Sequence, residues 1–387
     1  MVTSNSIYLD HAATTPVHPN VLQAMLPYFT EQFGNPSTIA SFGQDARRGL
    51  EKARTSIARV LGCLPTEIVF TSCGTESDNL AIKGVAQASR GRGNHIVTSV
   101  IEHEAVLHSC QALERQDYQV TYVPVDRYGV VDPAAVEAAI TERTVLISIM
   151  SANNEVGTIQ PVTEIGAVAR RYKIPFHTDA VQAAGVLDLN VDRLGVDLLA
   201  LSAHKFSAPK GVGLLYVRSG TPLEPQQHGG SQERRRRAGT ENVPYIVGMA
   251  TALERAQSHR DDYRAHTMSL RDELIAGVLE QVPGSVLTGH PTQRLPNNSS
   301  FCIPGVESGM VLRALDMQGI AVSSGSACTS ASMTPSHVLL AMGVPPALAH
   351  GALRMTLGID TSAEQIARVM EVLPAAVERA RTLSAAF

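Results

Sequence analysis

The sequence is short of several features that would assign its class at once. Only five of its 387 residues are cysteine, Cys63, Cys73, Cys110, Cys302 and Cys328, and none forms a CxxC pair. An odd number without paired spacing argues against a disulfide framework or a structural zinc site, and fits a reducing compartment. The opening stretch "MVTSNSIYLDHAATTP" has no basic region followed by an apolar run, so no secretory signal is expected. No apolar run approaches the length that spans a bilayer. The formal net charge is only −4, which argues against a nucleic-acid or membrane surface. Internal repeats and low-complexity linkers are missing too. The expectation is a soluble, cytoplasmic protein without a metal.

What is present reads as an ordinary globular chain, with 44% hydrophobic and 18% charged residues. Its length suits two or three domains and a sizeable core. Short apolar runs rich in β-branched residues recur: "EIVFTS", "NHIVTSV", "QVTYVPV", "TVLISIMSA", "IPFHTDA", "VDLLALSA" and "GVGLLYV". Amphipathic segments such as "TESDNLAIKGVAQAS" and "VTEIGAVARRYK" lie between several of them. This alternation predicts an α/β fold with a mainly parallel sheet covered by helices on both faces. The pattern changes after Asn242. A long helical stretch over residues 243–280 reads as a connecting helix pair. It is followed by the strand-like runs "NNSSFCIPGV", "GIAVSSGS" and "GALRMTLG" and a last amphipathic helix near residues 362–383. The expected division is a large domain over residues 15–258, with residues 1–14 and 259–387 forming a smaller α+β domain.

Two of the strand-like runs end in chemically useful residues. Asp179 closes "IPFHTDA", and Lys205 follows "VDLLALSA". Ligands of open α/β sheets collect at the carboxyl ends of strands. Neighbouring strands lie about 4.8 Å apart, so a carboxylate and an amine there could hold opposite sides of one small planar ring. Pyridoxal phosphate needs a lysine to bond its aldehyde and an acid to keep its ring nitrogen protonated. Taken alone, the two residues are equally compatible with solvated strand ends. In "EIVFTSCGTESDNLAIKG", Gly74 and Thr75 stand where a strand gives way to a helix, whose free N–H groups suit a phosphate. An ordinary helix cap is the simpler reading of that stretch by itself. Ser202 and His204 flank the lysine and add donors. The stretch "SSGSACTSAS", residues 323–332, sets Cys328 among small polar neighbours, whereas a structural cysteine usually packs among apolar ones.

Nine motifs, in order, carry a resemblance over Tyr8 to about Leu373: "YLDHAATTP", "FGNPST", "GTESDNLAIKG", "EHEAV", "SANNEVGTIQP", "HTDAVQAAG", "SAHKFSAPKGVG", "HGGSQERRRRAGTENV" and "SSGSACTSASMTPSHVLLAMG". Together they resemble the NifS/IscS-type (group I) cysteine desulfurases, pyridoxal-phosphate enzymes of the class V aminotransferase group. The resemblance implies the fold type I architecture, a large domain with a mainly parallel seven-stranded sheet and a smaller α+β domain. It implies that Lys205 holds the cofactor, Asp179 pairs with the ring nitrogen and Gln182 bonds the phenolic oxygen. His103 would stack on the ring and carry a proton. Gly74, Thr75, Ser202 and His204 would hold the phosphate. Thr240 would reach the phosphate of a second subunit, which implies a homodimer. Asn154 would lie near the ring and the substrate carboxylate, and Arg354 would clamp that carboxylate with its planar fork.

The resemblance makes Cys328 the nucleophile, on a loop spanning about residues 323–335. The implied reaction turns L-cysteine into L-alanine and carries the sulfur as a persulfide on Cys328 to an acceptor protein, in iron–sulfur cluster assembly or another thiolation pathway. Competing readings are a selenocysteine lyase, an aminotransferase or an epimerase of the same fold, or a scaffold without activity. Cys328 in its small-residue loop separates a desulfurase from an aminotransferase, and Lys205 with Asp179 argues against a scaffold. The run "ERRRR", residues 233–237, could suggest nucleic acid, but it falls in the family's cofactor and subunit-contact region. The chain departs from the pattern at Ala40, Ala203, Ser207 and Ser231. Housekeeping members often continue past the last helix with a tail that docks an iron–sulfur scaffold; the sequence stops at Phe387, so docking through such a tail is not expected.

Overall fold

The computed structural model describes residues 6–325 and 334–384. It contains strands β1 (Ile7–Tyr8), β2 (Ile68–Thr71), β3 (His95–Ser99), β4 (Gln119–Val123), β5 (Thr144–Ser148), β6 (Phe176–Asp179), β7 (Leu198–Ser202), β8 (Gly213–Val217), β9 (Val286–Leu287), β10 (Asn298–Cys302), β11 (Ile320–Ala321) and β12 (Ala352–Thr356). The seven apolar runs become β2 to β8, one sheet in the order β2-β8-β7-β6-β5-β3-β4. Strands β3 to β7 run parallel, and β8 lies antiparallel to both its neighbours. The physical reason is the short connection over residues 203–212, which has no crossover helix and so returns the chain antiparallel. Each strand is buried along its length except the edge strand β4.

Alternation along β7 shows why these runs are apolar throughout. Leu199 and Leu201 enter one core with Ile57 and Met249, while Leu198 and Ala200 enter another with Val85 and Leu146. Helices Ser41–Leu61 and Val243–Ser258 supply the first core, and Gly74–Ala88 and Glu104–Glu114 the second. Truncating one such leucine to alanine costs about 2–5 kcal/mol, since a close-packed core relaxes only partly around the void. The expected α/β fold with a mainly parallel seven-stranded sheet is therefore present.

The helical stretch after Asn242 is two helices, Val243–Ser258 and Arg260–Gln281, broken at His259. Beyond them, β12, β10 and β9 form an antiparallel sheet. Its core joins Leu274, Phe301, Leu353 and Ile366, the last from helix Ala363–Ser384. Strand β1 pairs in parallel with β11, so the start of the chain packs with its end. Among the described residues no helix is long and apolar enough to cross a membrane.

Candidate active site

Strands β6 and β7 pair directly, with Asp179 opposite Ala200, so both deliver their carboxyl ends to one place. A cavity of about 330 Å3 lies there. Gly74, Thr75, His103, Asn154, Asp179, Gln182, Ser202, His204, Lys205 and Arg354 all line it. Ten residues proposed from sequence are thus brought to one wall system from six separate stretches of chain.

Lys205 sits in a short 3-10 turn just past β7. Its Nζ donates to the carbonyls of Ala12 and Ala13 at 2.6 and 2.8 Å, and Gln182 Nε2 donates to Ala12 at 3.1 Å. The "HAATT" segment is therefore a wall of the site. Thr15 Oγ1 donates to the His204 carbonyl at 2.8 Å and accepts from the Ser207 amide at 2.8 Å. Ser207 has φ 64°, the left-handed region, so this departure from the family pattern is a strained position held by Thr15.

Asp179 Oδ1 accepts the Val181 amide at 2.9 Å. Burial pushes its carboxyl upward, and His103 and Lys205 pull it back. His103 caps helix Glu104–Glu114, its Nδ1 3.1 Å from the Ala105 amide nitrogen. His204 Nδ1 lies 3.1 Å from Thr14 Oγ1. Burial and the nearby Lys205 and Lys210 push His204 down to about 4, which keeps it neutral. Gly74 opens helix Gly74–Ala88 against the strand ends. A Cβ there would stand 2.8 Å from Val181 Cγ2 and 3.3 Å from Ser202 Cβ, so any side chain would fill the hollow. The first-turn amides of that helix have no intrahelical acceptors, and they present the positive end of its dipole.

Arg354, on β12, is 2% exposed. Its Nη1 donates to Asn154 and Gly325 carbonyls at 2.9 and 2.8 Å, and Nη2 to Asp10 Oδ1 at 2.7 Å. Its Nε has no partner among the described residues, although the side chain lines the cavity. A buried donor left open at a cavity wall suits an incoming carboxylate.

These features fit pyridoxal phosphate. The hollow at Gly74 and the helix N-terminus suit its phosphate, the buried Asp179 its ring nitrogen, and Lys205 its aldehyde.

Two proposed residues lie elsewhere. Thr240 is exposed and is not part of this chain's own cavity. Cys328 lies outside the described residues, but both flanks of its segment reach the site: Gly325 and His337 line the cavity. Ser336 Oγ donates to Glu155 Oε2 at 2.5 Å, and His337 Nε2 lies 3.1 Å from the Glu102 carbonyl oxygen. The other thiols behave as packing groups. Burial pushes Cys63, Cys110 and Cys302 up to about 12, while half-buried Cys73 accepts the Glu76 amide at 3.4 Å.

Sequence reasoning missed Asp10, Asp78, Glu155 and His337. Asp78 had a readable signal, because it stands four residues after Gly74 and shares its helix face. Asp10 had none, since its partner Arg354 is 344 positions away.

The aminotransferase class-V family matches residues 7–369. Cysteine desulfurase IscS of Methanosarcina thermophila is 51% identical over 381 residues, covering 98% of this chain and 94% of that protein. Its counterpart from Dictyoglomus turgidum is 50% identical over 378 residues, covering 98% and 96%. A solved NifS-like protein superposes with a TM-score of 0.91 at 38% identity, covering 97% of this chain and 100% of that one. With this site on this sheet, the chain belongs to the class-V aminotransferase family and, within it, to the NifS/IscS-type cysteine desulfurases.

Proposed function

We propose that the protein is a pyridoxal-phosphate-dependent cysteine desulfurase, converting L-cysteine to L-alanine and handing the sulfur from Cys328 to an acceptor protein. The observation that carries this is the meeting of Lys205, Asp179 and the open Nε of Arg354 in one cavity flanked by both ends of the Cys328 segment. Bound pyridoxal phosphate supplies an aldehyde for amine capture and a ring that accepts an electron pair. Asp179 holds a proton at the ring nitrogen, and a cation there offsets the burial that otherwise disfavours its charge. Gly74, Thr75, Ser202 and His204 hold the phosphate, Gln182 bonds the phenolic oxygen, and His103 packs on the ring. Arg354 and Asn154 hold the substrate carboxylate.

Lys205, oriented by the carbonyls of Ala12 and Ala13, takes the proton from the substrate Cα. His103 moves a proton at the substrate thiol. The Cys328 thiolate then attacks the substrate sulfur. A sulfur–sulfur bond forms, the substrate carbon–sulfur bond breaks, and its electron pair stays on the carbon fragment. That fragment takes up protons and leaves as alanine, so no outside oxidant or reductant is needed. The thiolate of Cys328 has to meet both substrate and acceptor, and its neighbours in the sequence are all small.

The reading includes a cytoplasmic homodimer in which Thr240 completes the partner's phosphate site. It also includes the division into residues 15–258 and residues 1–14 with 259–387, and an iron–sulfur scaffold or another thiolation protein as acceptor. The test is Cys328→Ser with labelled L-cysteine. The variant is expected to retain cofactor but release no alanine and hold no labelled sulfur, because a hydroxyl is far less ionised than a thiol. Alanine release at the parent rate overturns the reading.

A further inference from the structure

Residues 233–240 lie outside the cavity yet are held under backbone strain. Glu233, Arg234 and Arg235 have φ of 44°, 56° and 66°. Three successive non-glycine residues in the left-handed region are disfavoured, because each Cβ crowds a carbonyl oxygen. Such a turn persists only where its surroundings overdetermine it.

Two sets of contacts do so. At the start of the turn, Arg54 donates from Nη1 and Nη2 to Glu233 Oε2 and Oε1 at 2.9 and 2.7 Å, with both side chains almost fully buried. Arg54 Nη1 also donates to the Ile68 carbonyl at 2.9 Å, and the Phe70 amide donates to Glu233 Oε2 at 2.9 Å. These bonds tie the turn to β2, the strand that leads into the Gly74 hollow. After the turn, Arg237 Nε donates to Glu76 Oε1 at 2.8 Å, and Glu76 lies in the first turn of the helix that Gly74 opens. The Gly239 amide donates to Gln232 Oε1 at 3.0 Å, closing the segment on itself. Thr240 then stands exposed at the end of a segment fastened at both sides. An exposed threonine that ends a fastened segment is open to a surface outside its own chain.

We propose that Arg54, Glu233 and Arg237 are positioning residues for the partner subunit's cofactor phosphate. They hold the strained turn in the shape that delivers Thr240 across the subunit boundary. This rests on the dimeric reading given under Proposed function.

The test uses mixed holo-dimers of full-length chains carrying different tags. One chain bears Lys205→Ala, so borohydride fixes cofactor only on the other. Arg54→Lys, which keeps the charge but loses the fork, is placed on either chain. Cofactor retained after timed dialysis is read as the fraction that borohydride fixes, independently of turnover. The expected result is loss about tenfold faster when Arg54→Lys sits on the Lys205→Ala chain, and an unchanged rate when it sits beside intact Lys205. Glu233→Asp, too short to meet both guanidinium nitrogens, repeats the measurement if Arg54→Lys does not fold and must give the same pattern. Faster loss that follows the intact-lysine chain, equal loss in both arrangements, or no change in either overturns the inference while the dimer stands. A monomer in sedimentation overturns the dimeric reading and the inference with it.

Discussion

Two buried acid–base pairs touch the unit of β2 and the helix that Gly74 opens, and they are built on opposite plans. Arg54 and Glu233 meet through two short bonds, and the remaining acceptor capacity of Glu233 goes to the Phe70 amide. Burial works against the Arg54 charge, but the bonds and charge of Glu233 outweigh it and raise its pKa. Asp78 and His177 are as deeply buried, yet Asp78 Oδ1 and His177 Nε2 stand 3.5 Å apart. Neither atom has a hydrogen-bond partner among the described residues. Burial pushes Asp78 well up, with the charges of Asp179 and Glu102 adding to it, and pushes His177 down to about 3. The first pair is built to favour the charge of its arginine, and burial disfavours charge in the second.

The difference has a use. Asp78 lines the same cavity as Asp179, and Glu102, raised by burial to about 8, is close enough to act on both. Three carboxylates cannot all be ionised in so small a buried volume. Burial disfavours charge on Asp78 and Glu102, and under the proposed function a cation at the ring nitrogen would select Asp179 as the ionised carboxylate. The Arg54–Glu233 pair faces no such competition, and its task is to fix a backbone shape.

The largest expected effect sharpens this contrast. Glu233→Ala leaves Arg54 buried without its carboxylate and is expected to cost about 3–5 kcal/mol in urea unfolding. A cost under about 1 kcal/mol would show that solvent reaches Arg54 and that the turn is not pinned by it.

The acid limb of stability comes next. The folded pKa of His177, about 3, lies below its ordinary 6.5. Between those values the unfolded chain binds a proton that the folded chain refuses, so stability falls as pH drops through this window. His177→Asn removes that proton uptake. Its urea midpoint is expected to decline less than the parent's between about pH 7 and pH 4. Parallel declines would show His177 to be protonated in the fold and the second pair to be ionic.

The smallest effect belongs to Asp78→Asn. A neutral acid replaced by a neutral amide of the same shape is expected to shift stability by less than about 1 kcal/mol, because no buried charge is left unpaired. A loss as large as that of Glu233→Ala would break the contrast, since it would show Asp78 to be a carboxylate paired with His177.

Local pattern was enough to expose the frame of this molecule. The seven apolar runs read as strands and each forms one, six of them buried along their length and the edge strand β4 only in part. Asp179 and Lys205 could be placed at strand ends from the same pattern, which left ligand contact and solvation equally open until the structure set both on one cavity. Gly74 could be placed at a helix start from the change of period around it, where an ordinary cap was the simpler reading. Partner choice was not legible. Arg54 meets Glu233 across 179 positions and Arg354 meets Asp10 across 344, and no periodicity of either segment names the other. The antiparallel return of β8, the place of the break within the expected helix pair at His259, and the burial of Asp78 beside His177 likewise came only with packing. Periodicity records which face of an element is apolar, whereas the pairing and ionisation of buried polar groups depend on what the other elements bring against them.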